Sequence, residues 1–183
     1  MIKCSHVLML QCSHVPMIKH PDQRIGVFVD AQNMYHSARN IYNSRVNFKE
    51  VLKQAIAGRK LITAVAYVIT SPTKEEASFF DALGKSGFKV KTKDLQIFPG
   101  GAKKADWDVG IAMDAIKLSP RLDVVILVSG DGDYVPMVEY LQNHGLQLEV
   151  IAFGESSSKS LREVADDFTD LSQDRNRFLL KIK

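Results

Sequence analysis

Residues 124–136 read VVILVSGDGDYVP, five apolar residues running unbroken into Ser129, Gly130 and two aspartates one glycine apart. An unbroken apolar run of this length is the pattern of a strand buried on both faces, as in parallel sheets covered by helices. IGVFVD (25–30) repeats the pattern and also ends in an aspartate; LITAVAYVIT (61–70) and QLEVIAF (147–153) are further strands. Between them lie stretches with helical signals. Helices are expected over 33–43, over 48–57 before Gly58, from Ser71-Pro72-Thr73 to about Gly84, over 106–118, and over 134–144 before Gly145. FKVKTKDLQIF (88–98) alternates as an edge strand does, LREVADDFTDL (161–171) holds a short helix, and the charged stretch from Gln173 reads as helical or frayed. Strands that alternate with helices specify an α/β domain with a mainly parallel sheet. In such sheets the functional crevice lies beyond the carboxyl ends of the strands, where strand order reverses.

The acids fall at those ends. The first strand closes on Asp30, with Asn33 three residues on; the fourth run leads into Asp131 and Asp133; the helix before it opens Asp106-Trp107-Asp108. If strands 25–30 and 123–129 are neighbours, Asp30, Asp108, Asp131 and Asp133 converge. Like charges a few ångströms apart raise one another's pKa, and a divalent cation relieves them. Mg²⁺ or Mn²⁺ takes hard oxygen ligands from separate elements. Asn33 can orient a carboxylate or water, and Gly130 and Gly132 leave room for a close approach.

Each residue also has a plainer use. Asp30 and Asp133 suit helix N-caps, Asp131 a turn, and Asp108 a first helical turn. Asp114 lies about 600° around the helix from Asp108; set among apolar neighbours in IAMDAI, it either reaches the metal from deeper in the crevice or caps a loop. Lys103 and Lys104 follow Pro99-Gly100-Gly101 and suit either a nucleic-acid backbone or solvent. Lys89, Lys91 and Lys93 read as a solvent face, Trp107 as core, Tyr134 as a residue able to stack on a base, Ser156–Ser158 as a loop, and His36 and His144 as surface residues.

Bulk properties narrow the classes. The 183 residues suit one domain, with net charge +3 and 45% hydrophobic residues. This mild basic balance permits an anionic partner without specifying one. No apolar run approaches the roughly 18–20 residues of a membrane span. Cys4 and Cys12 both fall in a near-repeat, CSHV at 4–7 and 12–15, so no disulfide framework is implied and a cytoplasmic setting is expected. The repeat fits neither a signal peptide nor zinc spacing, and residues 1–23 read as an N-terminal extension.

VFVDAQNMY (27–35), KADWDVGIAMDAI (104–116), VVILVSGDGDYVPMVEYLQNHG (124–145) and SLREVADDFTDL (160–171) together resemble the NYN domain in its LabA/DUF88 branch, within the PIN-like nuclease superfamily. The resemblance covers residues 24–172, leaving 173–183 as a tail. It implies a PIN-like, Rossmann-like three-layer sandwich and a Mg²⁺- or Mn²⁺-dependent ribonuclease. Its motif acids fall on Asp30, Asp108, Asp114, Asp131 and Asp133, its Asn on Asn33, and Tyr134 stands where Phe is common. The ligand set is then Asp30, Asp108, Asp131 and Asp114, with Asp133 and Asn33 assisting catalysis and Lys103 and Lys104 placing RNA. Homo-oligomers stay open. A non-catalytic RNA-binding or regulatory module on the same fold is the alternative. A small-phosphoester hydrolase would need a D-x-D-x-[TV] motif where Asp30-Ala31-Gln32 stands.

Overall fold

The computed structural model describes residues 19–70, 74–97, 103–104 and 106–182; the CSHV repeat, the 71–73 helix start and the 98–102 loop lie outside them. In chain order come β1 (Arg24–Asp30), α1 (Ala31–Tyr42), β2 (Ser44–Val46), α2 (Phe48–Ile56), β3 (Lys60–Thr70), α3 (Lys74–Lys85) and β4 (Lys89–Asp94). They are followed by β5 (Gln96–Ile97), β6 (Lys103–Lys104), α4 (Asp108–Leu118), β7 (Val124–Val128), α5 (Val135–Asn143) and β8 (Gln147–Ala152). The chain closes with α6 (Lys159–Val164), β9 (Asp167–Asp170), α7 (Arg175–Phe178) and β10 (Leu179–Lys181).

Six strands form one parallel sheet in the order β4-β3-β1-β7-β8-β9. The chain builds outward from β1 through β3 to β4, then returns to the other side of β1 and builds outward again. The switch point is therefore the β1–β7 pair, with Val29 opposite Val128, and both expected acidic strand ends sit at it.

Alternate residues of the buried strands feed two cores. Ile25, Val27, Val29 and Ile126 face α1 and α2, whose contributions include Met34, Val51 and Phe48. Phe28, Val125 and Leu127 face α4, α5 and α6 through Ile111, Val138, Leu141 and Leu161. The result is a three-layer α/β sandwich. A buried ion pair lies on the α2 side of the sheet: Arg59 donates through Nη1 and Nη2 to Glu149 at 2.5 and 2.9 Å, both residues being almost wholly buried. No described helix is long and apolar enough to cross a membrane.

Two features go beyond the sequence pattern. The short helix expected within 161–171 is α6, and DFTD (167–170) after it is a sixth parallel strand that the pattern does not show. The charged tail is stitched on: β10 pairs antiparallel with β2, Leu171 and Phe178 are buried, and the Asn47 N–H donates to the Phe178 carbonyl at 2.8 Å. Lys91 and Lys93 also do more than meet solvent. Lys91 Nζ donates to Asp114, and Lys93 Nζ donates to the Asp106 carbonyl while lying 5.8 Å from the Trp107 ring centre.

Candidate metal centre

At the end of β1 the chain turns straight into α1, and Asp30 caps that helix: its Oδ1 accepts the Asn33 N–H at 3.0 Å. The capping use and a ligand use are compatible, because one carboxylate has two oxygens. The second, Oδ2, accepts from the Tyr134 hydroxyl at 3.3 Å, and the same hydroxyl reaches Asp108 Oδ1 at 3.1 Å. Tyr134 is 1% exposed. It is therefore not a stacking platform; it is a buried hydroxyl that ties two carboxylates together.

Asp131 sits one residue beyond the glycine that ends the fourth run. Its Oδ1 accepts the Asp133 N–H at 3.0 Å, and its own N–H donates to Ser129 Oγ. Asn33 spans the switch point. Its Oδ1 accepts the Gly130 N–H at 3.0 Å, which fixes the β7 loop against α1. Gly130 and Gly132 are needed for a different neighbour from a substrate. A Cβ on Gly130 would stand 3.1 Å from the Ser156 carbonyl, and one on Gly132 would stand 2.8 Å from Ser158 Oγ. The serine loop packs there, and Ser158 N–H closes it onto the Gly130 carbonyl.

Asp108, Asp131 and Asp133 can each offer one carboxylate oxygen within 4.8 Å of the other two. Mg²⁺ and Mn²⁺ hold oxygens at about 2.1 Å, so ligands around one ion lie no more than about 4.2 Å apart. The cluster needs only a small closure to fit. Asp30, Asp108 and Asp131 also line one cleft of about 380 Å³ with Asn33, His36 and Trp107. Among the described residues, lysine and arginine pair elsewhere: Lys91 with Asp114, Arg24 with Asp123, Arg59 with Glu149. Among the lysines and arginines whose side chains are described, a set that leaves out Lys103 and Lys104, none forms an ion pair with Asp30, Asp108, Asp131 or Asp133.

Electrostatics record the crowding. Burial pushes the Asp30 carboxyl above the ordinary range, and the charges of Asp108 and Asp131 add to that, while the Asn33 and Tyr134 hydrogen bonds oppose it. Asp108 is raised by burial and by Asp131, Asp106 and Asp133, against the Tyr134 bond. Tyr134 itself is pushed far up by burial and by the two carboxylates, so its proton stays on.

Asp114 is brought elsewhere. The sequence places it in the ligand set, but its Oδ2 accepts from Tyr67 Oη and Lys91 Nζ, both at 2.6 Å. Burial opposes its ionisation, and these two bonds outweigh burial and hold the carboxyl below its ordinary value. The six-residue spacing from Asp108 turns it to the β3–β4 side of α4. Lys103 and Lys104 lie in a short antiparallel ladder with Gln96 and Ile97, just ahead of Asp106. Trp107 donates from Nε1 to the Val68 carbonyl at 3.0 Å and packs on Tyr67. Sequence patterning gives no signal for the Tyr134 bridge, since a hydroxyl one residue past a D-x-D shows its partner only once α4 is docked.

The molecule is thus a Rossmann-like α/β domain with a cluster of acids at its switch point. The NYN domain family matches residues 24–172, and the chain belongs to that family, which is a PIN-like nuclease family. It is 25% identical over 168 residues to the low amplitude and bright protein LabA of Synechococcus elongatus, covering 84% of this chain and 86% of LabA. An uncharacterised Methanocaldococcus jannaschii protein is 25% identical over 150 residues; the match covers 79% of this chain and 54% of that longer protein. A crystal structure of a Vibrio parahaemolyticus protein of unknown function superposes with a TM-score of 0.80 at 34% identity, over 90% of this chain and all of the other.

Proposed function

We propose that the chain is a Mg²⁺- or Mn²⁺-dependent ribonuclease that hydrolyses RNA phosphodiester bonds. The observation that carries this is the group of Asp108, Asp131 and Asp133 oxygens within 4.8 Å, beside buried Asp30, with no lysine or arginine ion-paired to them among the described side chains. Hard carboxylate oxygens and open cleft suit a divalent ion that would polarise a phosphate oxygen and lower the pKa of a bound water. Asp108, Asp131 and Asp133 would hold that ion, with Asp30, which lies outside that three-oxygen group, beside them in the cleft. Asp133, the most exposed of the set, would also orient water at the ion. Tyr134 keeps Asp30 and Asp108 in register, and Asn33 fixes the loop that carries Asp131. Asp114 is left outside the ligand set because Lys91 already neutralises it. Lys103 and Lys104, in the strand leading to Asp106, would meet the RNA backbone.

The test is cleavage of labelled RNA with Mn²⁺, with Mg²⁺ and with EDTA, for wild type and for Asp131→Asn. Cleavage is expected only with metal, and the substitution should lower it at least about 100-fold, the scale of losing one preorganised electrostatic contact. Cleavage that survives Asp131→Asn sinks the site assignment. RNA binding that persists in EDTA without turnover under any condition would instead favour a non-catalytic binding module.

A further inference from the structure

We propose that a second cleft, formed by the end of α1 and the β2–β10 ladder, holds the RNA segment flanking the scissile phosphate. This rests on the ribonuclease reading of the acidic site. The first cleft contains the acids; the second has a volume of about 590 Å³ and is lined by Tyr42, Arg175 and Lys181 among others. Asn40 and Ile41 line both. The two are therefore one continuous surface along α1, from its N-terminal end at Asp30 to its C-terminal end at Tyr42.

The charge along this surface changes sign. The acidic end is where a metal and a phosphate would meet, and a polyanion leaving it must next find cations. Arg175 and Lys181 supply them at the far end. Arg175 is presented for this: its guanidinium lies 4.7 Å from the Tyr42 ring centre and pairs with Glu155 at 3.0 Å. Both members of that pair are about half exposed, so the contact is weak and exchangeable for a phosphate. The Tyr42 hydroxyl is buried and, although Glu155 and Ser172 are close, closes no hydrogen bond to either. Exposed Ile41, where the two clefts meet, gives an apolar seat for a base.

Length fits as well. The 12 residues of α1 span about 18 Å, or about five nucleotides for a strand that keeps the stacked rise of about 3.4 Å and fewer for an extended one. A short oligonucleotide would fill the acidic cleft alone, and a longer one would reach Arg175 and Lys181. The charged C-terminal segment thereby becomes part of the binding surface.

The experiment measures affinity for fluorescein-labelled, cleavage-resistant phosphorothioate oligouridylates of about 4 and about 12 nucleotides, with Mn²⁺ present, over a salt series. Wild type should bind the longer probe at least about tenfold tighter. Arg175→Gln with Lys181→Glu should remove that advantage, leave the short probe unaffected, and flatten the log–log salt slope by about 1.4, the value for two lost phosphate contacts on a single strand. Glu155→Gln, an exposed change that does not threaten folding, should tighten the long probe. Long-probe affinity unchanged in the double variant and in Glu155→Gln overturns the extended track while leaving the acidic-site reading standing. Failure of wild type to bind either probe overturns both.

Discussion

Asp30→Asn should make the metal-free protein more stable and the metal-supplemented protein relatively less so. Asp30 is 8% exposed, without an ion pair among the described residues, and beside Asp108 and Asp131. Asparagine keeps the helix cap, since Asn and Asp serve α1 about equally well, and it removes the buried charge. Relief of an uncompensated buried charge at a functional site is worth about 1–2 kcal/mol. At about 2–4 °C per kcal/mol for a chain of this size, Tm in EDTA should rise by about 2–8 °C. The sign with pH follows from the raised carboxyl. Below the ordinary Asp value of about 3.9 the group is protonated folded and unfolded, so the substitution gains nothing there. As pH rises through the raised folded value, the unfolded chain ionises first and wild type loses stability that the variant keeps. Saturating Mn²⁺ reverses the order: ligand at about 100 times Kd adds about 2.7 kcal/mol to wild type and little to a variant with an impaired site. The assay is thermal unfolding of both proteins at several pH values, with EDTA and with Mn²⁺. A variant less stable than wild type in EDTA at neutral pH, or equal Mn²⁺ stabilisation of both, refutes the reasoning.

Tyr134→Phe deletes the hydroxyl whose one proton is shared between Asp30 and Asp108. It should weaken Mn²⁺ binding about tenfold and move the acid limb of the pH–rate profile upward, because those bonds favour the ionised carboxylates; titration calorimetry and a pH profile check both effects. Asp114→Asn should leave RNA cleavage within about threefold of wild type, a change too small for a lost metal ligand; a collapse as deep as that of Asp131→Asn would return Asp114 to the ligand set. Glu149→Ala strands Arg59 in the core and should cost about 3–5 kcal/mol, read as a lower urea midpoint with an unchanged slope.

Apolar runs told the most about this fold. Where a strand is buried on both faces, as in β1 and β7, every position is constrained and the pattern cannot be mistaken for solvent-exposed structure. The convergence of Asp30, Asp108 and Asp131 depended on β1 and β7 being neighbours, which the pattern of runs left open and the sheet order supplies. Edges told less. β9 is half buried throughout, so DFTD shows no apolar run, and the tail is fixed by two anchors, Leu171 and Phe178, amid charge. Asp114 shows the sharper limit. A carboxylate in an apolar helix needs a partner, and sequence alone does not say whether that partner is a metal or a lysine. Lys91 alternates with Lys89 and Lys93 as a solvent face would, and only the β3–β4 register brings it over Tyr67 to α4. The two acids thus had the same look and have opposite electrostatics: Asp114 is pulled below its ordinary pKa by a cation, and Asp30 is pushed above it by burial and by other acids. An acid that folding leaves in that second condition costs stability in every molecule without metal. The same burial that raises its pKa strengthens its attraction for a divalent ion, so the instability and the proposed activity have one origin.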